Sequence, residues 1–357
     1  MFVWCPSKSK SRELATLYAV ALRTSRSSVA ARARENPSSI LPRPRQTSTP
    51  SCELRISKAN RRGSRSALSS LLSLYAFGLE ESNLYPQAEE AGRRALSLNP
   101  KVPWAVHAVA HVMEMQGRFE EGGAWLRQYQ DHWSEGNGFS GHLWWHKGLF
   151  RLEALDLEGA LRLADKRLAP EQLQITLQRV DAAALLWRLR LLGVDVMSRC
   201  VRLLEGWDLS PESAGYYAFN DLHAVLALLG AGEFMHAEAW VARCAERALQ
   251  ADDARRSNHG MARETGLPLM RALLAYERGD FDTAADALYA ARGGAQRFGG
   301  SHAQRDLIDQ TLLSACARGT RRGIGRALIN ERLMGKPATP LTQHWQAQVQ
   351  GLQGAMG

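Results

Sequence analysis

Two histidine pairs stand at the same internal spacing, His107 with His111 and His142 with His146, and each member of the second pair follows its counterpart by thirty-five residues. Residues four apart share one face of a helix, so each pair presents two imidazoles side by side. Trp104 and Glu114 fall on the face of the first pair, and Trp145 accompanies the second. A further step of thirty-five from His146 reaches Asp181, while Asp221 and His223 open a later helix. Paired imidazoles suit zinc, with His107, His111 and His146 as metal candidates and Glu114 or Asp181 as a carboxylate ligand. The residue after His107 is Ala108, so the HExxH arrangement of a metalloprotease is missing. A histidine–carboxylate pair such as Asp181–His146 suits general acid–base work. Histidine and tryptophan on one surface also suit recognition, by stacking and hydrogen bonding to a peptide or small ligand. The same rings pack between helices in many proteins and donate to backbone carbonyls, so packing stands beside the three chemistries.

The elements that must position these residues are helices joined by tight turns. The apolar spacing predicts helices over Leu71–Leu79, Tyr85–Leu98, Val102–Gln116, Phe119–Gln130, Leu143–Ala154, Leu157–Leu168, Leu173–Leu192 and Val196–Leu204. It continues with Tyr217–Leu229, Phe234–Leu249, Leu267–Arg278, Phe281–Gln296, Gln304–Ala317 and Arg322–Leu333. A turn signature recurs at Gly117-Arg-Phe119, Gly232-Glu-Phe234 and Gly279-Asp-Phe281, each followed by small residues. The glycine lets the chain reverse and the phenylalanine fills the gap between two helices. Helix–turn–helix repeats of this length belong to the tetratricopeptide class of solenoids, so the expected fold is all-α, a right-handed helical solenoid. The first helices of successive hairpins line the concave face of such a solenoid. Trp104, His107, His111, Glu114, His142, Trp145, His146, Asp181, Asp221 and His223 are expected to form a ligand groove there.

Weaker candidates read as structure. Asp181 caps a helix start and Arg188 is a core ion partner; Trp125 and Trp240 take equivalent core positions; Glu277, Arg278 and Asp280 form a solvated cluster. No glycine-rich phosphate loop and no GxSxG elbow is present. The five cysteines are scattered, form no CxxC and make no disulfide framework. No run of about 18 apolar residues offers a membrane span, and a cytoplasmic location fits best.

The 357-residue chain carries a net charge of +9, concentrated at its front. Residues 1–66 hold fourteen Lys or Arg against three acids, and the remaining 291 residues are close to neutral at −2. A basic patch that lies on a tail does not make the body a nucleic-acid reader. Residues 1–65 are rich in Ser, Arg and Pro and read as a disordered leader with one short helical window, Ser11–Arg26. Residues 66–345 are the repeat domain and 346–357 a C-terminal tail.

The run from Trp104 to Gly122, together with His142-Leu-Trp-Trp-His146, Asp181-Ala-Ala-Ala-Leu-Leu-Trp-Arg188 and Asp221-Leu-His223-Ala, resembles the tetratricopeptide repeat protein 38 family. The resemblance covers about residues 66–345 and implies a divergent helical-repeat fold with a characteristic His/Trp/Asp groove, without an assigned reaction. The chain departs from the family at its front, where the basic leader stands in place of further helices. The expected function is therefore a helical-repeat binding protein holding a peptide, protein segment or small ligand, without a resident cofactor. The alternative is an enzyme, with zinc as its metal, using the same His/Asp belt.

Overall fold

The computed structural model describes residues 61–135, 139–173, 175–250, 257–336 and 339–351. Most of the leader, with its Ser11–Arg26 window, lies outside them. The described residues are helical and contain no strand. They comprise α1 (Arg61–Glu80), α2 (Tyr85–Leu98), α3 (Pro103–Met115), α4 (Phe119–Gln128), α5 (Gln130–Trp133), α6 (Ser140–Glu153) and α7 (Leu157–Arg167). There follow α8 (Thr176–Leu191), α9 (Met197–Glu205), α10 (Ala218–Gly230), α11 (Phe234–Leu249) and the short α12 (Ser257–Met261), which runs through one π turn (Ala262–Gly266) into α13 (Leu267–Glu277). The last are α14 (Phe281–Arg292), α15 (His302–Arg318), α16 (Arg322–Gly335) and α17 (Pro340–Gln350). No helix among the described residues is long and apolar enough to cross a membrane.

One turn is used six times. Asn83, Gly117, Leu155, Gly193, Gly232 and Gly279 all take positive φ, between 55° and 86°. At each, the following N–H donates to the carbonyl five residues back: Leu84 to Leu79, Arg118 to Met113, Asp156 to Arg151, Val194 to Leu189, Glu233 to Leu228 and Asp280 to Ala275, at 2.8–3.0 Å. The left-handed residue itself donates three residues back, as Gly117 does to Glu114. This double bond pattern is the Schellman motif, which satisfies the last carbonyls of a helix while reversing the chain. Three of the six lack the Gly-x-Phe signature. Asn83 and Leu155 tolerate the conformation because the two bonds and the packing around them hold it, and an asparagine is among the residues that visit it most readily.

The chain divides into two compact units, described here for residues 61–112 and 113–351. In the first, α1 packs along α2, and Gly92 lets α2 approach closely, since a Cβ there would meet Val109 Cγ2 at 2.5 Å.

In the second unit the hairpins do not stack only on sequence neighbours. α6 touches α4, α7, α8 and α17; α8 touches α10 and also α15; α15 touches α14, α16 and α17. The last helix therefore returns to the beginning of the unit. Trp187 of α8 donates from Nε1 to Thr311 Oγ1 of α15 at 3.0 Å. One continuous apolar core runs through these helices, with Trp187, Phe219, Trp240, Phe298 and Trp345 among its larger members. Trp125 and Trp240 are both buried, as their matching sequence positions require.

Several boundaries differ from the sequence expectation; α1 already runs from Arg61, ten residues before the expected Leu71, so residues 61–65 of the expected disordered leader are helical. Residues 346–350 belong to α17, a helix the apolar spacing does not announce, because it is sealed by few residues: Leu341, Trp345 and Val349. Ahead of α13 the chain is already helical from Ser257, where Gly266 allows contact with Ala218 that a Cβ would close to 2.6 Å.

Candidate functional site: a buried polar interior

The predicted belt residues are interior residues. Trp145, His146, Asp181 and His223 have no exposed surface at all, and His107, His111, Glu114, His142 and Asp221 are at most 5% exposed; Trp104 alone is half-buried.

In the first unit, His107 and His111 lie edge to face at 4.3 Å between ring centroids, with Phe77 at 5.2 Å from each and Trp104 at 5.5 Å from His107. His111 Nδ1 is 3.5 Å from Glu80 Oε2, and both side chains are completely buried. The spacing argument thus places the pair and its tryptophan correctly, and Glu80 and Phe77 of α1 are the partners it missed.

In the second unit, α6 carries a layered aromatic group. Trp145 stacks on His142 at 5.2 Å with 17° between planes, and His146 stands edge-on to both at 4.8 Å. His142 Nδ1 bonds Asp181 Oδ2 at 2.7 Å, while Asp181 Oδ1 accepts from Gln304 Nε2 at 3.2 Å. Two expectations are corrected. Asp181 caps no helix end; it sits within α8 and orients two side chains from α6 and α15. Its histidine partner is His142 and not His146, because the first member of the pair is the one that faces α8.

Arg188, two turns further along α8, is also completely buried. Among the described residues it makes no direct ion pair: Nη1 donates to Ala184 O at 3.2 Å and Nη2 to Ala303 O at 2.8 Å and Gln304 O at 3.4 Å. Its guanidinium lies 5.7 Å from the Trp145 ring. Burial lowers its pKa from the ordinary value, although it stays charged.

The charge neighbours of Arg188 belong to a chain of ion pairs that sequence spacing does not reveal. Arg332 reaches Glu153 at 2.8 Å and Asp306 at 2.6 Å; Lys336 reaches Glu153 at 2.7 Å and Glu114 at 3.3 Å. Gln310 Nε2 donates to Asp306 Oδ2 at 2.6 Å. The only sequence trace is the four-residue spacing of Arg332 from Lys336 and of Asp306 from Gln310. That spacing also occurs on solvated helix faces.

The acids divide by environment. Burial pushes the Glu114 carboxyl up to about 7 despite Lys336. Burial would also raise Glu153 and Asp306, but Lys336 and Arg332 outweigh it and hold both below the usual carboxylate range. His223, on α10, points Nδ1 at Phe219 O at 2.7 Å, so Nδ1 carries the proton and donates. Its burial lowers its pKa to about 4, which keeps the ring neutral.

The buried atoms of this unit that have no hydrogen-bond partner among the described residues include Trp145 Nε1, Arg188 Nε, Glu114 Oε2, Glu153 Oε2, Gln310 Oε1 and His223 Nε2. The set contains fixed donors and fixed acceptors together. No family model matches the chain.

Proposed function

We propose that this protein is a tetratricopeptide-type helical-repeat binding protein, and that its second unit holds one small polar molecule in its interior. The observation that carries the reading is that Trp145 Nε1, Arg188 Nε, Glu114 Oε2, Glu153 Oε2, Gln310 Oε1 and His223 Nε2 are all buried without a hydrogen-bond partner among the described residues. A buried donor or acceptor left unmet costs about 1–3 kcal/mol, and native interiors rarely leave several in one region. A molecule offering acceptors to Trp145, Arg188 and the protonated Glu114, and donors to Glu153, Gln310 and His223, removes that cost.

The charge count favours a ligand without net charge. Arg188, Arg332 and Lys336 face Asp181, Glu153 and Asp306, and Glu114 is largely protonated below its raised pKa. A small molecule fits better than a peptide, because the lining residues are buried and not on an open face. The recurrent Schellman turns and the resemblance to the tetratricopeptide repeat protein 38 family support the repeat assignment.

The test is mass spectrometry of the untagged protein under native and denaturing conditions. The expected result is one bound molecule per chain that is released on denaturation, with Trp145→Phe retaining far less of it. A native mass that exceeds the chain only by water, with the variant melting like the wild type, returns these residues to a purely structural role. The enzyme alternative rests on the His spacing and is read by elemental analysis: stoichiometric zinc, lost in His107→Ala/His111→Ala, would replace the binding reading with a metal-dependent one.

A further inference from the structure

A second, separate feature of the residue 113–351 unit is a cleft of about 310 Å³ between the start of α8, the segment that follows α9, the start of α10 and the middle of α11. This volume reaches the lower end of the range in which small-molecule pockets fall. Its floor is polar and unmet. Asp221 is 3% exposed; its Oδ1 accepts from the Gly215 N–H at 3.1 Å, and its Oδ2 has no hydrogen-bond partner among the described residues. Trp240, also lining the cleft and 5% exposed, has an unpartnered Nε1.

The walls favour a cation with an apolar body. Trp207, Tyr216 and Trp240 supply aromatic surface, and Tyr216 is 76% exposed. Asp208, Glu212 and Asp221 outnumber the one lining cation, Arg179, whose Nη2 donates to Leu173 O. Arg247, from α11, is spent on the carbonyls of Glu212 and Ala214 at 2.9 and 2.7 Å. It does not bond Asp221, whose one side-chain donor among the described residues is the Cys244 thiol of the same helix, a weak one.

We propose that this cleft binds a small organic amine, with the ammonium on Asp221 Oδ2, its apolar body among Trp207, Tyr216 and Trp240, and an acceptor group on Trp240 Nε1. An ammonium restores the missing donor to Asp221 and gains from the aromatic faces. The indole N–H requires that the same ligand carry an acceptor, such as a hydroxyl near the amine. The groups facing Asp221 are the Gly215 N–H, the Cys244 thiol and Arg247, and burial pushes its carboxyl up to about 7. Amine binding therefore strengthens as pH rises through 7, since the carboxylate form is the one that pairs.

The proposal is independent of the interior site, and its probes are chosen to be so. Phenylethanolamine and its uncharged isostere styrene glycol are titrated into the full chain, with tryptophan fluorescence and calorimetry as readouts. Saturable binding of the amine, at least about tenfold tighter than the glycol, with a similar loss in Asp221→Asn, is the expected result. Tyr216→Ala removes an exposed ring and weakens the amine without touching the fold, so the comparison survives even where Asp221→Asn fails to fold. Equal affinity for amine and glycol, or no saturable binding of the amine at millimolar concentration, overturns the proposal.

Discussion

Glu114 and Glu153 have the same side chain and share Lys336, yet they end on opposite sides of the ordinary carboxylate value. Glu153 has two cations at 2.7 and 2.8 Å, whereas Glu114 has one at 3.3 Å, and burial wins at Glu114 alone. This difference has a sign in stability. A carboxyl raised in the fold is protonated in the native state while the unfolded chain has already ionised, so its contribution falls as pH rises between about 4 and 7. Glu114→Gln mimics the protonated form and lacks that slope. The variant's stability relative to wild type is expected to improve by up to about 3 kcal/mol from pH 4 to pH 7, measured by urea melts at each pH. A flat or reversed difference would show that Glu114 ionises normally. Breaking the network is a different perturbation. Lys336→Met leaves Glu114 and Glu153 buried with less compensation, and the expected cost is about 3–5 kcal/mol at pH 7.

At the scale of helices, most of the fold is legible in the sequence. Phe234–Leu249 and Tyr85–Leu98 are helices over the expected residues, and Gly117, Gly232 and Gly279 take the left-handed turn their signature implies. The turns at Asn83 and Leu155 are legible only once their hydrogen bonds are seen, because neither residue type announces positive φ as glycine does. The candidate site is half legible. Spacing finds His142, His146 and Asp181, since period and helix face are local properties. It misses Glu153, Asp306, Arg332 and Lys336, whose meeting depends on α16 and α17 returning to α6. Adjacent glycines on α4 offer a sharp test of helix contact. A Cβ on Gly122 would fall within 2.2 Å of the Phe150 ring of α6, while one on Gly123 meets only an arginine tip at 3.6 Å. Gly122→Ala is expected to destabilise by about 1–3 kcal/mol through overpacking. Gly123→Ala should be neutral or stabilising by up to about 1 kcal/mol through helix propensity, and equal melting temperatures for the two variants would contradict the close α4–α6 approach.

Across the whole second unit, the decisive feature is that α17 meets α6 and α15 meets α8. In an open array each repeat touches only its neighbours, so weakening the last helix frays that end and leaves distant repeats protected. Here Trp345, 2% exposed on α17, belongs to the same core as α8 and α10. Thr342 of α17 also accepts from Arg332, which holds Glu153 of α6. Trp345→Ala removes a buried indole and is expected to cost about 3–5 kcal/mol. Native-state hydrogen exchange then reads where that loss is felt. Protection of α6 should fall together with that of α15–α17, because opening the seam exposes the Glu153–Arg332–Lys336 network from both sides. Unchanged exchange in α6 beside fraying confined to α15–α17 would mean that the repeats behave as a linear stack and that the polar interior opens to a groove.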